Sequence, residues 1–326
     1  MKSRSFLTLA LALALAPAAF AQPDSLALIP NDAVTVGVVR LDRMRSSGLS
    51  SMLFQQTDKI TTNGEADRFL ADAGLLPSKD IDVLVVSTVL RSNLGGDANV
   101  LIAADGRFDL ERLTSALTSR GAIKKNSYFV LPDKESKSTH PGAVAFPDSH
   151  LALIGTEEAV ATALANYAAG GTSFLSSSGL GRDAARIDAK ATAWALVDIA
   201  RAQRLTNAPR VPAHGESSAL SSALKNISTV ALWATDTGDA LKLNGLGVGH
   251  DAETLGLVED TLRGALAAVR LAVQDKSPDL VPVLRKFHVS RSNDTVSISG
   301  TIPADVLKTL IAKQRAAHAS HTDSSR

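Results

Sequence analysis

The sequence predicts an α+β protein, built as two tandem, related modules of mainly antiparallel sheet with packed helices. Three observations carry that expectation. Short β-branched and apolar runs come in pairs separated by turn formers, as hairpins do. Between the pairs lie stretches whose apolar residues recur every three or four positions, the spacing of a helix with one buried face. The same order of strand, helix, hairpin, helix, hairpin and helix recurs in both halves of the chain.

Taken in order, "AVTVGVVRL" (Ala33 to Leu41) is apolar on both alternating positions, which suits a strand covered on both faces. "SGLSSMLFQQTDKI" and "EADRFLADAGLLP" follow with helical spacing, the second stopped by Gly74 and by Pro77 three residues on. "KDIDVLVVSTVL" and "ANVLIAADGRF" make a hairpin across "RSNLGGD". Asp109 opens "DLERLTSALTSRG", where Leu110, Leu113, Ala116 and Leu117 share a face and Gly121 ends the helix. After the polar loop "PDKESKSTHPG", the stretch from Gly142 to Tyr167, "GAVAFPDSHLALIGTEEAVATALANY", reads as strand, turn at Pro147-Asp148, strand, and a helix capped by Thr156.

The second half begins after "GGTSFLSSSGLGR", a linker by its Gly and Ser content, which places the module boundary near residue 175. "ATAWALVDIARAQRL" parallels the first strand and its helix. The linker "TNAPRVPAHGESS" and a short helix lead to the strands "ISTVALWATD" and "ALKLNGLGVG". A long helix from about Ala252 to Gln274 carries a stripe of Leu255, Val258, Leu262, Ala265, Leu266, Val269 and Val273. "FHVSRSNDTVSISGTIP" forms two strands around Asn293-Asp294, and "ADVLKTLIAKQ" is the last helix. The modules are expected over 22–175 and 176–315, with 316–326 a polar disordered tail.

The N-terminus, "MKSRSFLTLALALALAPAAFAQPD", has the layout of a signal peptide: Lys2 and Arg4, then an apolar run from Phe6 to Ala16 closed by Pro17. Ala19 and Ala21 supply the small residues that signal peptidase needs, so residues 1–21 are the expected leader and Gln22 the first mature residue. The run falls well short of the roughly 20 residues that span a bilayer, and no later segment is long enough. A periplasmic or secreted location follows. There is no cysteine, so neither a lipidated Cys nor disulfides can hold the exported chain, and its stability rests on its core.

Removing Lys2 and Arg4 with the leader leaves 32 basic against 33 acidic residues, a balance that argues against nucleic acid as a partner. Two Trp and two Tyr offer little for a sugar to stack on. Motifs that suggest chemistry are incomplete. The glycines at 245, 247 and 249 lack the third dinucleotide-binding position, held by His250; alternating glycines instead suggest a helix packed closely on that face. Ser222 and Lys225 have the spacing of penicillin-recognising enzymes without the companion elements. His250 with Glu253, and His318 with His321, are pairs where zinc wants three or four ligands. Asn226 and Asn293 match a short and frequent glycan pattern. The two glutamates after Thr156 complement the helix dipole and repel phosphate. No cofactor, no metal and no catalytic residue is assigned.

"RFLADAGLLPSKDIDVLVVS", "GAVAFPDSHLALIGTEEAVATAL" and "AAVRLAVQDKSPDLVPVLRKFHVSRSNDTVSISGTIP" resemble blocks in a loose group of secreted bacterial proteins of unknown function. The resemblance covers most of the mature chain, implies an envelope location, and brings no catalytic residues. The reading favoured by the residues is a non-enzymatic binding or interaction protein whose partner is another protein or an apolar small ligand. A hydrolase with a site dispersed in sequence and a structural envelope component with paired sheet edges are the alternatives.

Overall fold

The computed structural model describes residues 24–51, 65–91, 98–132, 141–170, 174–177, 179–206 and 227–312. The leader with Ala19, Ala21 and Gln22 lies outside them, as do Ser222, Lys225, Asn226, the linker from residue 207 and the tail with His318 and His321. The described chain is α+β, and its strands form one antiparallel sheet of twelve. At about 4.8 Å per strand pair the sheet is roughly 50 Å across.

The first half contributes β1 (Thr35–Arg40), β2 (Ile81–Leu90), β3 (Ala98–Gly106), β4 (Ile123–Lys125), β5 (Tyr128–Val130), β6 (Gly142–Asp148) and β7 (Leu151–Thr156). The second contributes β8 (Ala193–Asp198), β9 (Ile227–Asp236), β10 (Ala240–Gly249), β11 (His288–Arg291) and β12 (Thr295–Pro303). Their spatial order is β11-β12-β10-β9-β8-β1-β2-β3-β7-β6-β5-β4. Read outward from the central β1–β8 pair, the halves run β1-β2-β3-β7-β6 and β8-β9-β10-β12-β11, the same connectivity twice. The boundary expected near residue 175 falls between β7 and β8.

The helices are α1 (Leu41–Arg45), α2 (Glu65–Ala73), α3 (Pro77–Asp80), α4 (Leu110–Ser119), α5 (Glu157–Ala168), α6 (Phe174–Ser177), α7 (Gly179–Ala184), α8 (Ile199–Thr206), α9 (Ala252–Lys276), α10 (Val281–Arg285) and α11 over 304–312. Their ends follow local chemistry. Asp109 accepts from the Arg112 amide and Asp251 from the Thr254 amide, each capping the helix that follows. Gly74 leaves α2 at φ +64° and Pro77 starts α3.

Side chains alternate between two faces of the sheet, here called A and B. On face A, Val36, Val38, Val83, Val85, Leu101, Ala103, Leu153 and Leu196 form the main core, closed by the turn Asp24–Leu28 and by α5, α6 and α7. Leu153 and Leu196 are fully buried, each worth about 1.5–3 kcal/mol. On face B, α2 and α4 cover one end through Phe108, Leu113 and Ala116. At the other end Leu255, Val258, Leu262 and Leu266 of α9 cover Ile227, Val289 and Val296. Ala265 and Val269, expected on that stripe, are exposed instead, because the buried face of α9 narrows as the helix runs past the sheet.

Three expectations are corrected. The turn between β6 and β7 sits at Ser149-His150, because β6 continues through Pro147 to Asp148 with a register shift, and Asp148 accepts from the His150 amide at 2.6 Å. The hairpin β4–β5 was not expected; its strands are three residues long, and Asn126 at φ 41° makes the turn. The glycines of β10 are not spaces for a helix: a Cβ at Gly245 would lie 2.9 Å from Ile298 Cγ2, and one at Gly247 3.2 Å from Ile227 Cδ1, so strand side chains fill them.

Close backbone approach gives a test. A Cβ at Gly155 in β7 would collide with the Val100 carbonyl, whereas one at Gly256 within α9 meets nothing. Gly155→Ala is expected to destabilise by about 1–3 kcal/mol, and Gly256→Ala to stabilise by about 1 kcal/mol, both read from denaturant midpoints.

Candidate functional site

A cleft of about 390 Å³ opens where β9 turns into β10 and is lined by Arg43, Ser46, Ser47, Lys190, Thr192 and Asp236. Asp236 closes β9, and its carboxylate accepts from the Ser50 amide at 3.1 Å, the Ser50 hydroxyl and the Gly238 amide at 2.7 Å. Burial opposes its ionisation, yet hydrogen bonds from Ser47, Ser50 and Gly238 outweigh this and hold its carboxyl below the ordinary aspartate range. Its own amide donates to Thr192 Oγ1 at 2.9 Å. Arg43 donates to the carbonyls of Ala189 and Ala191 at 2.6 and 3.0 Å, and its pKa is lowered by burial and by neighbouring Arg40. A carboxylate so surrounded by donors is a poor base, and no histidine lines this cleft. Asp236 acts as a clasp that ties the segment after α1 to the β9–β10 turn.

The junction at Thr156 has a second cleft of about 270 Å³, lined by Arg91, Pro141, Thr156, Glu157 and Glu158. Thr156 occupies the cap position of α5, but its side chain does not cap as expected; its hydroxyl donates to Asn99 Oδ1 at 3.1 Å. Glu157 accepts from Lys125 Nζ at 2.7 Å and from the Tyr128 hydroxyl at 2.8 Å, and those bonds lower its pKa. Glu158 pairs with Arg91 at 2.7 Å. The cations here are already engaged by glutamates of the same chain, so the junction is architecture held by ion pairs.

The apolar candidates are different in kind. A cleft of about 440 Å³ at the sheet end is lined by Leu110, Phe129, Phe146, Leu164 and Tyr167, with the Tyr167 hydroxyl fixed to Asp148 at 2.6 Å. On face B, paired residues form a row across the whole sheet. It runs Lys124, Phe129, Val144, Ile154, Ile102, Val86, Gly37, Ala195, Leu232, Gly245, Ile298 and Val289. Directly paired residues share a face, so apart from Lys124 at the outer edge this is an unbroken apolar or glycine line. Its ends lie under helices. Its middle is open: Ile154 is 42% and Leu232 56% exposed, and Ala195 is exposed between them. Six strands, from β7 to β9, make this open stretch about 24 Å long.

No protein-family model matches the chain, and no curated protein does. Solved structures do. Two crystal forms of TP0453, III and IV, each share 12% identity with it. The TM-scores are 0.48 and 0.47, over 90% of this chain and 99% and 98% of theirs. Among the described residues no helix is long and apolar enough to cross a membrane.

Of the residues singled out in the sequence, His250 and Glu253 are exposed and no group of three metal-ligating side chains occurs among the described residues. Asn293 is exposed in the β11–β12 turn. Neither the face-B row nor the Asp236 clasp was found from sequence, since each needs strands far apart in the chain to be set in register.

The clasp predicts a pH dependence. A carboxyl whose folded pKa is depressed contributes stability at pH values above its unfolded value, about 3.9, and that contribution is lost as pH falls through the folded value. Asp236→Asn should therefore lower the melting temperature at pH 7, with the gap to the parent closing as the pH is taken below about 4.

Proposed function

We propose that the protein is an exported, non-catalytic binding protein that carries an apolar ligand on the open middle of face B. The observation that carries the reading is the register row with Ile154, Ala195 and Leu232 exposed at its centre. Exposed apolar surface that is contiguous and rimmed by covered ends is a common mark of a binding surface. A trough about 24 Å long matches an extended hydrocarbon chain better than a compact ring system. Gly37 deepens it, because a Cβ there would meet only the Trp194 carbonyl oxygen at 3.9 Å. The clefts offer no competing chemistry: their carboxylates are already bonded to donors of the same chain. Export rests on the leader, with cleavage before Gln22, and on the resemblance to secreted bacterial proteins.

Nile red, a neutral apolar dye, provides the test with protein lacking residues 1–21. Saturable binding is expected, weakened at least tenfold in Leu232→Glu and in Gly37→Val, which fills the trough. Both sites have room for the change, so melting temperatures should stay within a few degrees. Absence of dye binding, or equal binding by parent and both variants, rules the trough out.

The leader is checked separately. The intact mass of protein recovered from the envelope should correspond to a chain beginning at Gln22, and a mass that includes Met1 contradicts export by this route.

A further inference from the structure

We infer that the outer face of α9 pairs two copies of this chain, the two helices lying antiparallel about a two-fold axis at Gly264. The contact is on the solvent side of α9 and does not depend on what the trough holds. At about 100° per residue, Leu257, Thr261, Gly264, Ala268 and Leu271 form one stripe. It lies opposite the side that carries Leu255, Val258, Leu262 and Leu266 to the sheet. Leu257 is 64% and Leu271 68% exposed, and Gly264, Ala265, Ala268 and Ala272 between and beside them are exposed as well. The helix is thus apolar on two opposite faces, and the protein covers one of them. A helix that is apolar all round is ordinarily buried.

Charge is kept off this stripe. The two arginines in the span turn toward α10 and β11. Arg263 reaches Glu259 at 2.7 Å and the Val289 carbonyl at 3.5 Å, and Arg270 donates to the Leu284 and Phe287 carbonyls at 3.1 and 2.9 Å. The exposed charges that flank the stripe, Glu253 and Asp260, are acidic. A helix that lies on an anionic membrane surface carries lysine and arginine beside its apolar face. This one presents carboxylates there, which selects a protein surface over a lipid one.

The spacing points to a second copy. Steps of 4, 3, 4 and 3 residues average about 3.5, the repeat of a seam along which two helices pack side by side. Leu257 and Leu271 each stand seven residues from Gly264, so a two-fold axis there sets Leu257 against Leu271 of the second copy, and the reverse. With about 1.5 Å of rise per residue, the same axis brings Thr261 to within about 2 Å of the level of Ala268 of the second copy. Reciprocal matching of this kind is what an isologous contact requires. Gly264 falls at the crossing point. A Cβ there would meet nothing in its own chain, so packing within one copy does not explain a glycine in mid-helix, where it costs stability relative to alanine. Between two helices it lets the backbones approach closely. One helix pair is a small interface, so the expected association is weak, with a Kd of roughly micromolar order.

Sedimentation velocity of protein lacking residues 1–21, across the micromolar range, provides the test. The parent should pass from monomer to dimer as concentration rises. Leu257→Glu and Gly264→Leu should each weaken dimerisation at least tenfold. Both positions are open to solvent in the single copy, so these variants should melt no more than a few degrees below the dilute parent. Leu257→Glu combined with Leu271→Lys should dimerise severalfold more tightly than Leu257→Glu alone at low salt, because antiparallel pairing sets each new carboxylate against a new ammonium. Added sodium chloride should remove that gain. In a parallel pair the same substitutions would set like charges together. The inference is overturned if the parent stays monomeric throughout, including if this face instead binds vesicles of phosphatidylcholine and phosphatidylglycerol. It is equally overturned if either single variant dimerises like the parent, or if the double variant dimerises no better than Leu257→Glu.

Discussion

The pairing of β1 with β8 is the constraint on which the rest of the molecule depends. It joins Val36 to Leu196 and Val38 to Trp194 across more than 150 residues of intervening chain. Among the described residues it is also the one place where the strands of the two halves meet. Register here is fixed by burial: Val36, Val38 and Leu196 are at most 2% exposed, and a slip of one residue would turn all of them to the opposite face. Once this pair is set, each neighbouring strand inherits its register in turn, out to β4 on one side and β11 on the other. The face-B row crosses this pair at Gly37 and Ala195, and it could not exist in an isolated half.

The two faces differ because the helices cover them unequally. In the first half, α5 and the turn Asp24–Leu28 close face A, and α2 with α4 close part of face B. In the second half, α9 and α10 close face B, while β10, β11 and β12 turn Lys242, Asn244, Ser297, Ser299, His288 and Ser290 to face A. That outer stretch of face A is polar apart from Leu246, which packs against the main core, and Val248. The middle of face B is apolar and lies beyond the reach of α4 on one side and α9 on the other. Ile154, Ala195 and Leu232 stay exposed there.

Much of this architecture can be read from local sequence. β2, β3, β9 and β10 are long alternating or continuous apolar runs, and α4 and α9 announce themselves with Asp109 and Asp251 as caps. The hairpin β4–β5 could not be read, since "IKK" and "YFV" are too short to show a period and Ile123 is 67% exposed. The cap at Thr156 was misread for a related reason: the position is right by local rule, but Asn99, brought alongside by the β3–β7 pairing, takes the hydroxyl. Local rules supply the elements, and the pairing of strands far apart in the chain decides which partner a side chain such as Thr156 finds.

The weight of the functional reading rests on how the polar groups are spent. An acid-base or nucleophilic site keeps a group poised, with a perturbed pKa that favours reaction and an empty place for substrate beside it. In the clefts here the shifts run the other way. Asp236, Glu157 and Asp148 are all held in their charged forms by donors from the same chain, and the side-chain donors Ser50, Lys125, Tyr128 and Tyr167 tie separate segments together. Such carboxylates are fastenings, used up in holding the segment after α1, α5 and the β6–β7 turn. What is left uncommitted on the sheet is the apolar strip on face B, where Ile154 and Leu232 are exposed.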